Sequence, residues 1–458
     1  MMEPQGQSIK IRPSFFPYGV LLGITFALLL GIASFLPLLS YQEARRAVII
    51  QETFLSHSAI PKYNGEPYFT KPPLHTWLSI PFYALGNIIN QETFFLRLPS
   101  FLSYFLVIYL LYLISQKDIL KTLLSTFILF SSFRFLSFTY RIDLEPLFVS
   151  LSLAYVYFIL KFQESPKEKY VFLSYFFFGL AFLVRGPLHF FLIPSLIFYV
   201  FLFKNKRLLR LLFHPLGWLL LLSLIFPFYV YGYFKFGPKV FQEFLQTDLS
   251  ERLVAKKDPF YYYIKAFLLN FLPYLLLLLF KIKELKKIYS QLLKDHPLNF
   301  FLTLSLLPLL FLSFTGQKFD KYLLFLYPLF SLFLSEVLLR LYKEDLLLKI
   351  SALFFGICYL VVILPLLANL KTLKLEISLW EKNLHPQKKY LFYEKIHPLA
   401  LFILKNPIPV IKDFRELQNF GKGEKILICP DLIKDKRPYL ILKDPYKRAE
   451  FWYLYQIE

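Results

Sequence analysis

The stretch 18-YGVLLGITFALLLGIASFLPLLS-40 carries no charged residue and runs directly into 41-YQEARRAVIIQETFL-55, where charges crowd together. The hydrocarbon core of a bilayer takes about 20 apolar residues per helix, so the first stretch reads as a membrane span and the second as the start of an aqueous segment. The span is too long for the apolar core of a signal peptide and has no A-x-A cleavage site, so it reads as retained. Working outward, further apolar runs lie at 98–115, 119–137, 144–162, 171–184, 186–203, 212–234, 262–280, 298–314, 321–339 and 348–369, which makes about eleven spans. Two near-continuous stretches are divided by punctuation: 98–137 at Lys117–Lys121, and 171–203 at Arg185-Gly186-Pro187.

Composition agrees. Of the 458 residues 57% are hydrophobic and only 18% charged, which excludes both an ordinary soluble domain and a disordered chain. The net charge of +21 points to anionic lipid or phosphate. Nucleic acid is not expected, because no basic stripe interleaved with aromatics occurs outside the apolar runs. Two cysteines, Cys358 and Cys429, supply neither a disulfide framework nor a cysteine metal site.

Orientation follows from short basic loops such as 204-KNKRLLR-210, which belong on the cytoplasmic side. With the N-terminus inside, an odd number of spans leaves the tail outside, on the same face as the long segments 41–97 and 235–261. The expected organisation is a membrane domain over 1–369 and a periplasmic domain over 370–458. The tail holds strand-like runs at 389-KYLFY-393, 425-KILIC-429, 439-YLIL-442 and 451-FWYLY-455, with helix-like stretches near 396–405 and 413–419, and so reads as a small α/β domain.

Five charged motifs fall on the outer face. Glu43 and Arg46, three residues apart, share one side of a short interfacial helix. In 68-YFTKPP-73, two prolines stiffen the backbone beside Lys71. In 140-YRIDLEP-146, Asp143 and Glu145 lie at a span boundary, where acids should face an aqueous cavity rather than lipid. Arg185 is a lone charge between two apolar runs. Arg252 stands in 248-DLSERLVAKKDPFYYY-263, and Lys318 and Lys321 in 314-FTGQKFDKYLLFLYP-328. Each motif also has a plain structural explanation as a helix end, an ion pair or an interfacial anchor. Together, Lys71, Arg185, Arg252, Lys318 and Lys321 with Glu43 and Asp143 suit a phosphate-linked lipid substrate and a general base.

These motifs resemble the bacterial membrane glycosyltransferases of the GT-C type, akin to lipid A aminoarabinose transferases and protein mannosyltransferases. The resemblance is carried by 42-QEARRA-47, 61-PKYNGEPYFTKPPLHTW-77, 97-RLPS-100, 141-RIDLEP-146, 179-GLAFLVRGP-187, 271-FLPY-274 and 317-QKFDKYLLFLYP-328. It implies a GT-C-like α-helical polytopic fold. The implied activity is inverting transfer of a sugar from a polyprenyl monophosphate carrier to a lipid (lipid A-like), glycan or other acceptor at the outer face of the inner membrane. It further implies Glu43 and Asp143 as acids, Lys71, Arg185 and Arg252 as phosphate contacts, and Tyr68 and Tyr322 as substrate-positioning residues beside Gln42 and Glu145. Where the family pattern has Asp-Glu, Gln42 precedes Glu43, so the base is Glu43 or Asp143. Thr70 stands where the aminoarabinose transferases have a glutamate associated with a metal, so no divalent metal or other cofactor is expected. A lipid-linked sugar flippase needs similar charges, but the sequence shows neither the repeats nor the interrupted helices that it predicts.

Overall fold

The computed structural model describes residues 15–244, 258–413, 415–416, 420, 425–433, 437–447 and 449–457. Among them, nine helical stretches are long and apolar enough to cross a membrane: Phe16–Phe35, Glu92–Ile114, Glu145–Glu164, Glu168–Phe203, Lys206–Phe236, Tyr262–Phe280, His296–Ser313, Asp320–Leu339 and Glu344–Asn383. The difference from eleven has two sources. Ile119–Phe130 is apolar but spans only about 18 Å at 1.5 Å per residue. Glu168–Phe203 is one apolar stretch broken at Gly186, whose φ of +73° lies in the region that only glycine enters freely.

Ion pairs and hydrogen bonds sort the helix ends into two sides. At one end Arg207 donates to the Gln163 carbonyl at 2.7 Å, His214 meets Glu168 at 3.0 Å, Lys121 meets Glu336 at 2.8 Å and Arg340 pairs with Asp295. At the other end Glu43 pairs with Arg97, Glu145 with Arg185, and Lys321 approaches Asp143. Residues 168 and 207 thus share a side although Arg185 lies on the opposite one, so 168–203 runs out and back as two legs. With these legs counted separately and Ile119–Phe130 included, each of the eleven expected runs corresponds to a described helix or leg.

Small residues set the close approaches between helices, as expected where lipid offers no hydrophobic drive to association. A Cβ on Gly217 would sit 2.5 Å from the Tyr175 ring, and one on Gly179 would sit 2.9 Å from Leu224. The interior is otherwise aromatic: Tyr104, Phe130 and Phe135 stack mutually edge to face with centroids 4.8–5.7 Å apart.

On the second side lies a layer of short elements. Helix Tyr41–Leu55 is capped by Ser40, whose hydroxyl accepts from the Glu43 amide. A two-stranded hairpin follows, β1 (Lys62–Tyr63) and β2 (Glu66–Pro67), turned by Asn64 and Gly65 at φ +54° and +79°. The Asn64 amide pairs with both backbone groups of Ile408 at 2.7 and 2.8 Å, which ties the hairpin to the C-terminal region.

That region begins on the long helix, which runs through residue 370 to Asn383. Its sheet has the order β4 (Val410–Ile411), β3 (Tyr390–Tyr393), β5 (Lys425–Cys429), β7 (Phe451–Ile457), β6 (Leu440–Lys443), with β3 parallel to both neighbours and β7 antiparallel to both of its own. Helix Pro398–Leu404 connects β3 to β4. Alternation along β5 sends Ile426 and Ile428 toward Ala44, Ala47 and Trp380, and Leu427 and Cys429 toward Tyr455 on the other face. The helix expected at 413–419 falls largely outside the described residues.

One buried pair fastens this layer to the membrane helices. Arg97 donates two hydrogen bonds to Glu43 Oε1 at 3.0 and 3.1 Å, and others to the carbonyls of Ala33, Leu36 and Pro37. The amides of Ile142 and Leu39 complete the Glu43 carboxylate at 3.0 and 2.6 Å. Breaking one side of a buried, hydrogen-bonded pair costs about 3–5 kcal/mol because the other charge is stranded. Arg97→Gln should therefore lower the thermal midpoint of the detergent-purified protein strongly, and adding Glu43→Gln should recover part of the loss. An unchanged midpoint in Arg97→Gln would show that the pair carries no stability.

Candidate active site

The outer-layer elements and the mouths of the helices converge on a buried group of charges. Asp143 and Glu145 come from the bend before helix Glu145–Glu164, where Pro146 occupies the first turn, so the two acids bracket a helix start. Arg185 ends the outward leg of 168–203 at the Gly186 break and meets Glu145 at 2.9 Å, with its guanidinium 4.5 Å above the Tyr322 ring. Lys321, in the 3₁₀ segment Asp320–Leu326, places its ammonium 3.8 Å from both Asp143 Oδ2 and Glu145 Oε1. Lys71 is buried, and its charge bears on Glu145. Arg46 is buried on helix Tyr41–Leu55 and reaches the Tyr68 hydroxyl at 3.4 Å.

The fields of these groups overlap. Burial raises the Asp143 carboxyl, but Lys321, Arg46, Arg185 and the Leu144 amide together hold it below the ordinary carboxylate range. Arg46 and Arg45 likewise outweigh burial and bring the Tyr68 phenol below its ordinary value. Burial, reinforced by Arg46, pushes His75 down to about 4 against an opposing pull from Asp143, so this histidine is neutral at physiological pH. Four cations, Arg46, Lys71, Arg185 and Lys321, surround two carboxylates among the described residues. A further carboxylate, Glu243, accepts from the Phe69 amide at 3.1 Å, two residues before Lys71.

The sequence-predicted residues divide accordingly. Lys71, Asp143, Glu145, Arg185, Lys321, Tyr68 and Tyr322 lie in or against the group. Glu43 does not: it is turned to Arg97, and both its oxygens are occupied, so the acid expected as a base is a structural anchor. Gln42 also faces away, being exposed and accepting from Arg45 at 2.7 Å. Lys318, expected at the phosphate, spends its ammonium on the carbonyls of Asp258 and Thr315 at 2.9 and 2.5 Å and so pins two loops. Arg252 lies outside the described residues. Arg46 and His75 were not assigned a role from sequence. Arg46 was paired with Glu43 by its spacing, and His75 stands four residues after Lys71, in the same outer-loop block.

Thr70 precedes Lys71 and is a poor ligand for zinc, and among the described residues no three His, Cys, Asp or Glu side chains converge.

Comparison with known proteins places this geometry. Residues 70–231, which contain Lys71, His75, Asp143, Glu145 and Arg185, match the sequence model of the dolichyl-phosphate-mannose-protein mannosyltransferase family. Two uncharacterized proteins of Aquifex aeolicus (strain VF5) are 26% and 27% identical, over 83% and 84% of this chain and 75% and 85% of their own lengths. The crystal structure of ArnT from Cupriavidus metallidurans bound to undecaprenyl phosphate superposes with a TM-score of 0.80, covering 96% of this chain and 98% of that one at 14% identity. The apo state of the same protein gives 0.73, covering 91% and 92% at 15% identity. The resemblance carried by the outer-loop motifs is thus met by a family match over the central segment, and the chain has the multi-pass membrane fold of ArnT with a small C-terminal sheet.

Proposed function

We propose that the protein is a glycosyltransferase that moves a sugar from a polyprenyl monophosphate carrier to an acceptor at the outer face of the inner membrane. The observation that carries this reading is the convergence, among the described residues, of the cations Arg46, Lys71, Arg185 and Lys321 at the helix mouths. A sugar-bearing polyprenyl phosphate is a diester with one negative charge, and the polyprenyl phosphate that leaves carries up to two. A site rich in cations favours the departing phosphate over the bound donor, which is the sense in which binding accelerates a reaction. The undecaprenyl phosphate bound by the structurally similar ArnT supports the same ligand class.

In this scheme Arg46, Lys71, Arg185 and Lys321 hold the phosphate. An acceptor oxygen attacks the anomeric carbon as the carbon–oxygen bond to phosphate breaks, and single displacement inverts the centre. Asp143 takes the proton of the acceptor. Its Oδ1 is occupied by the Leu144 amide at 2.7 Å, while Oδ2 stands too far from Lys321 for a hydrogen bond and is turned into the cationic group. A carboxylate of lowered pKa is a weak base, which suits a reaction whose leaving group is already good and whose proton moves late.

Asp143→Asn should reduce turnover by about 10²–10⁴-fold while undecaprenyl phosphate still binds. Lys321→Gln should weaken that binding by roughly tenfold or more, since a charge-assisted contact contributes about 1.5–3 kcal/mol. Full activity in Asp143→Asn together with unchanged binding in Lys321→Gln would refute the assignment.

The same reading places the charged group and the C-terminal sheet in the periplasm, with the lysine-rich end, including 204–210 and 281–294, in the cytoplasm. Both native cysteines are buried, so labelling of introduced cysteines is read against a low background. An impermeant thiol reagent should label Lys395→Cys and spare Asn205→Cys in intact spheroplasts. The reverse pattern would invert the topology and remove the reading.

A further inference from the structure

A second cleft opens on the outer layer, between the C-terminal sheet and the segment 41–63. Its volume is about 730 Å³, within the range of small-ligand sites. Tyr41, Tyr63 and Tyr453 contribute aromatic rings to its lining and Glu394 and Asp431 carboxylates, while the Glu450 carboxylate is held by Lys447 at 2.6 Å. Aromatic faces beside carboxylates form a surface for pyranose rings: the apolar C–H face of a sugar packs on the ring, and neighbouring hydroxyls donate to the carboxylate oxygens.

The cleft is built rather than accidental. Asp444, in its wall, is almost fully buried and is fixed by the Trp452 indole N–H at 3.1 Å and the Tyr446 amide at 2.8 Å. Behind it His397 stacks on Trp380 at 4.3 Å and stands 3.6 Å from Asp444. Glu394 holds φ at +61°, a conformation that L side chains adopt rarely and that tends to persist at ligand sites. The Tyr41 hydroxyl donates to the Ile396 carbonyl at 3.3 Å, which closes one side between the layer and the sheet.

The cleft also leads to the charged group. Tyr63 lies 6.4 Å, ring to ring, from Tyr68, whose hydroxyl meets Arg46. Tyr41 begins the helix that carries Arg46. Among the described lining residues, acids outnumber the lysines Lys395 and Lys447, the opposite balance to the phosphate group next door.

We infer that this cleft is an acceptor subsite that binds an uncharged or amino saccharide, so that the acceptor of the transfer is presented by its glycan part from the side of the C-terminal sheet. This rests on the proposed transferase reading, since it names where that reaction's second substrate is held.

The test uses the full-length protein in detergent and saturation-transfer NMR with a mixture of cellobiose, chitobiose and glucosamine, with inorganic phosphate as competitor. Two variants remove the subsite without loading the fold: Glu394→Gly suits the positive φ, and Tyr453→Thr keeps a strand-forming side chain. The expected result is saturation of pyranose protons in at least one sugar, a loss of about tenfold or more in its affinity in both variants, no competition by phosphate, and unchanged undecaprenyl phosphate binding. Absence of sugar saturation, saturation that survives both variants, or displacement by phosphate overturns the subsite. Loss of undecaprenyl phosphate binding in the unaltered protein, with sugar binding intact, would instead overturn the transferase reading and leave the cleft standing.

Discussion

Irregular backbone at the mouth of a membrane protein is tolerated only where its polar groups are satisfied, and here a single arginine meets that demand. Arg97 caps the carbonyls of Ala33, Leu36 and Pro37 where the first membrane helix ends, and in the same fork holds Glu43. Glu43 in turn accepts from Leu39 and Ile142. Three pieces of chain far apart in sequence are thereby fixed to one another: the turn from the first helix into helix Tyr41–Leu55, the segment at Arg97, and the bend that carries Asp143. The position of Arg46 on that helix, and of Asp143 one residue after Ile142, follows from this pair.

From that anchor the charged group is assembled with its sign already set. Glu43 and Arg97 cancel each other outside it, so the carboxylate nearest in sequence to Arg46 does not neutralise Arg46. Within the group Glu145 holds Arg185, and Asp143 and Glu145 share Lys321 at 3.8 Å. The balance of charge in the group therefore depends on which acid pairs with which base.

Much of this was legible in the sequence. The apolar runs gave the spans because hydrocarbon thickness fixes their length, and charges interrupting those runs marked Arg185, Asp143 and Glu145, since intramembrane charge is expensive unless it is used. Lys71 stood out beside its two prolines. The pairing was not legible. Glu43 and Arg46 are three residues apart and read as sharing one side of a helix, whereas Arg97, 54 residues away, takes Glu43 in space. Lys318 read as a phosphate contact because sequence shows a cation at a boundary without showing the loop carbonyls that claim it. Gly186 was legible as the break between two spans, and the contacts of Arg207 and His214 agree with the return of the chain beyond it.

The central claim is that the site is matched to a departing phosphate rather than to the bound donor. Titration of the purified protein with undecaprenyl phosphate, and with a non-transferable undecaprenyl phosphodiester that has the same chain and one negative charge, measures this directly. The account predicts that the monoester binds at least about tenfold more tightly, a difference of roughly 1.4 kcal/mol, and that the difference shrinks in Lys321→Gln. Equal affinities, or tighter binding of the diester, would contradict it.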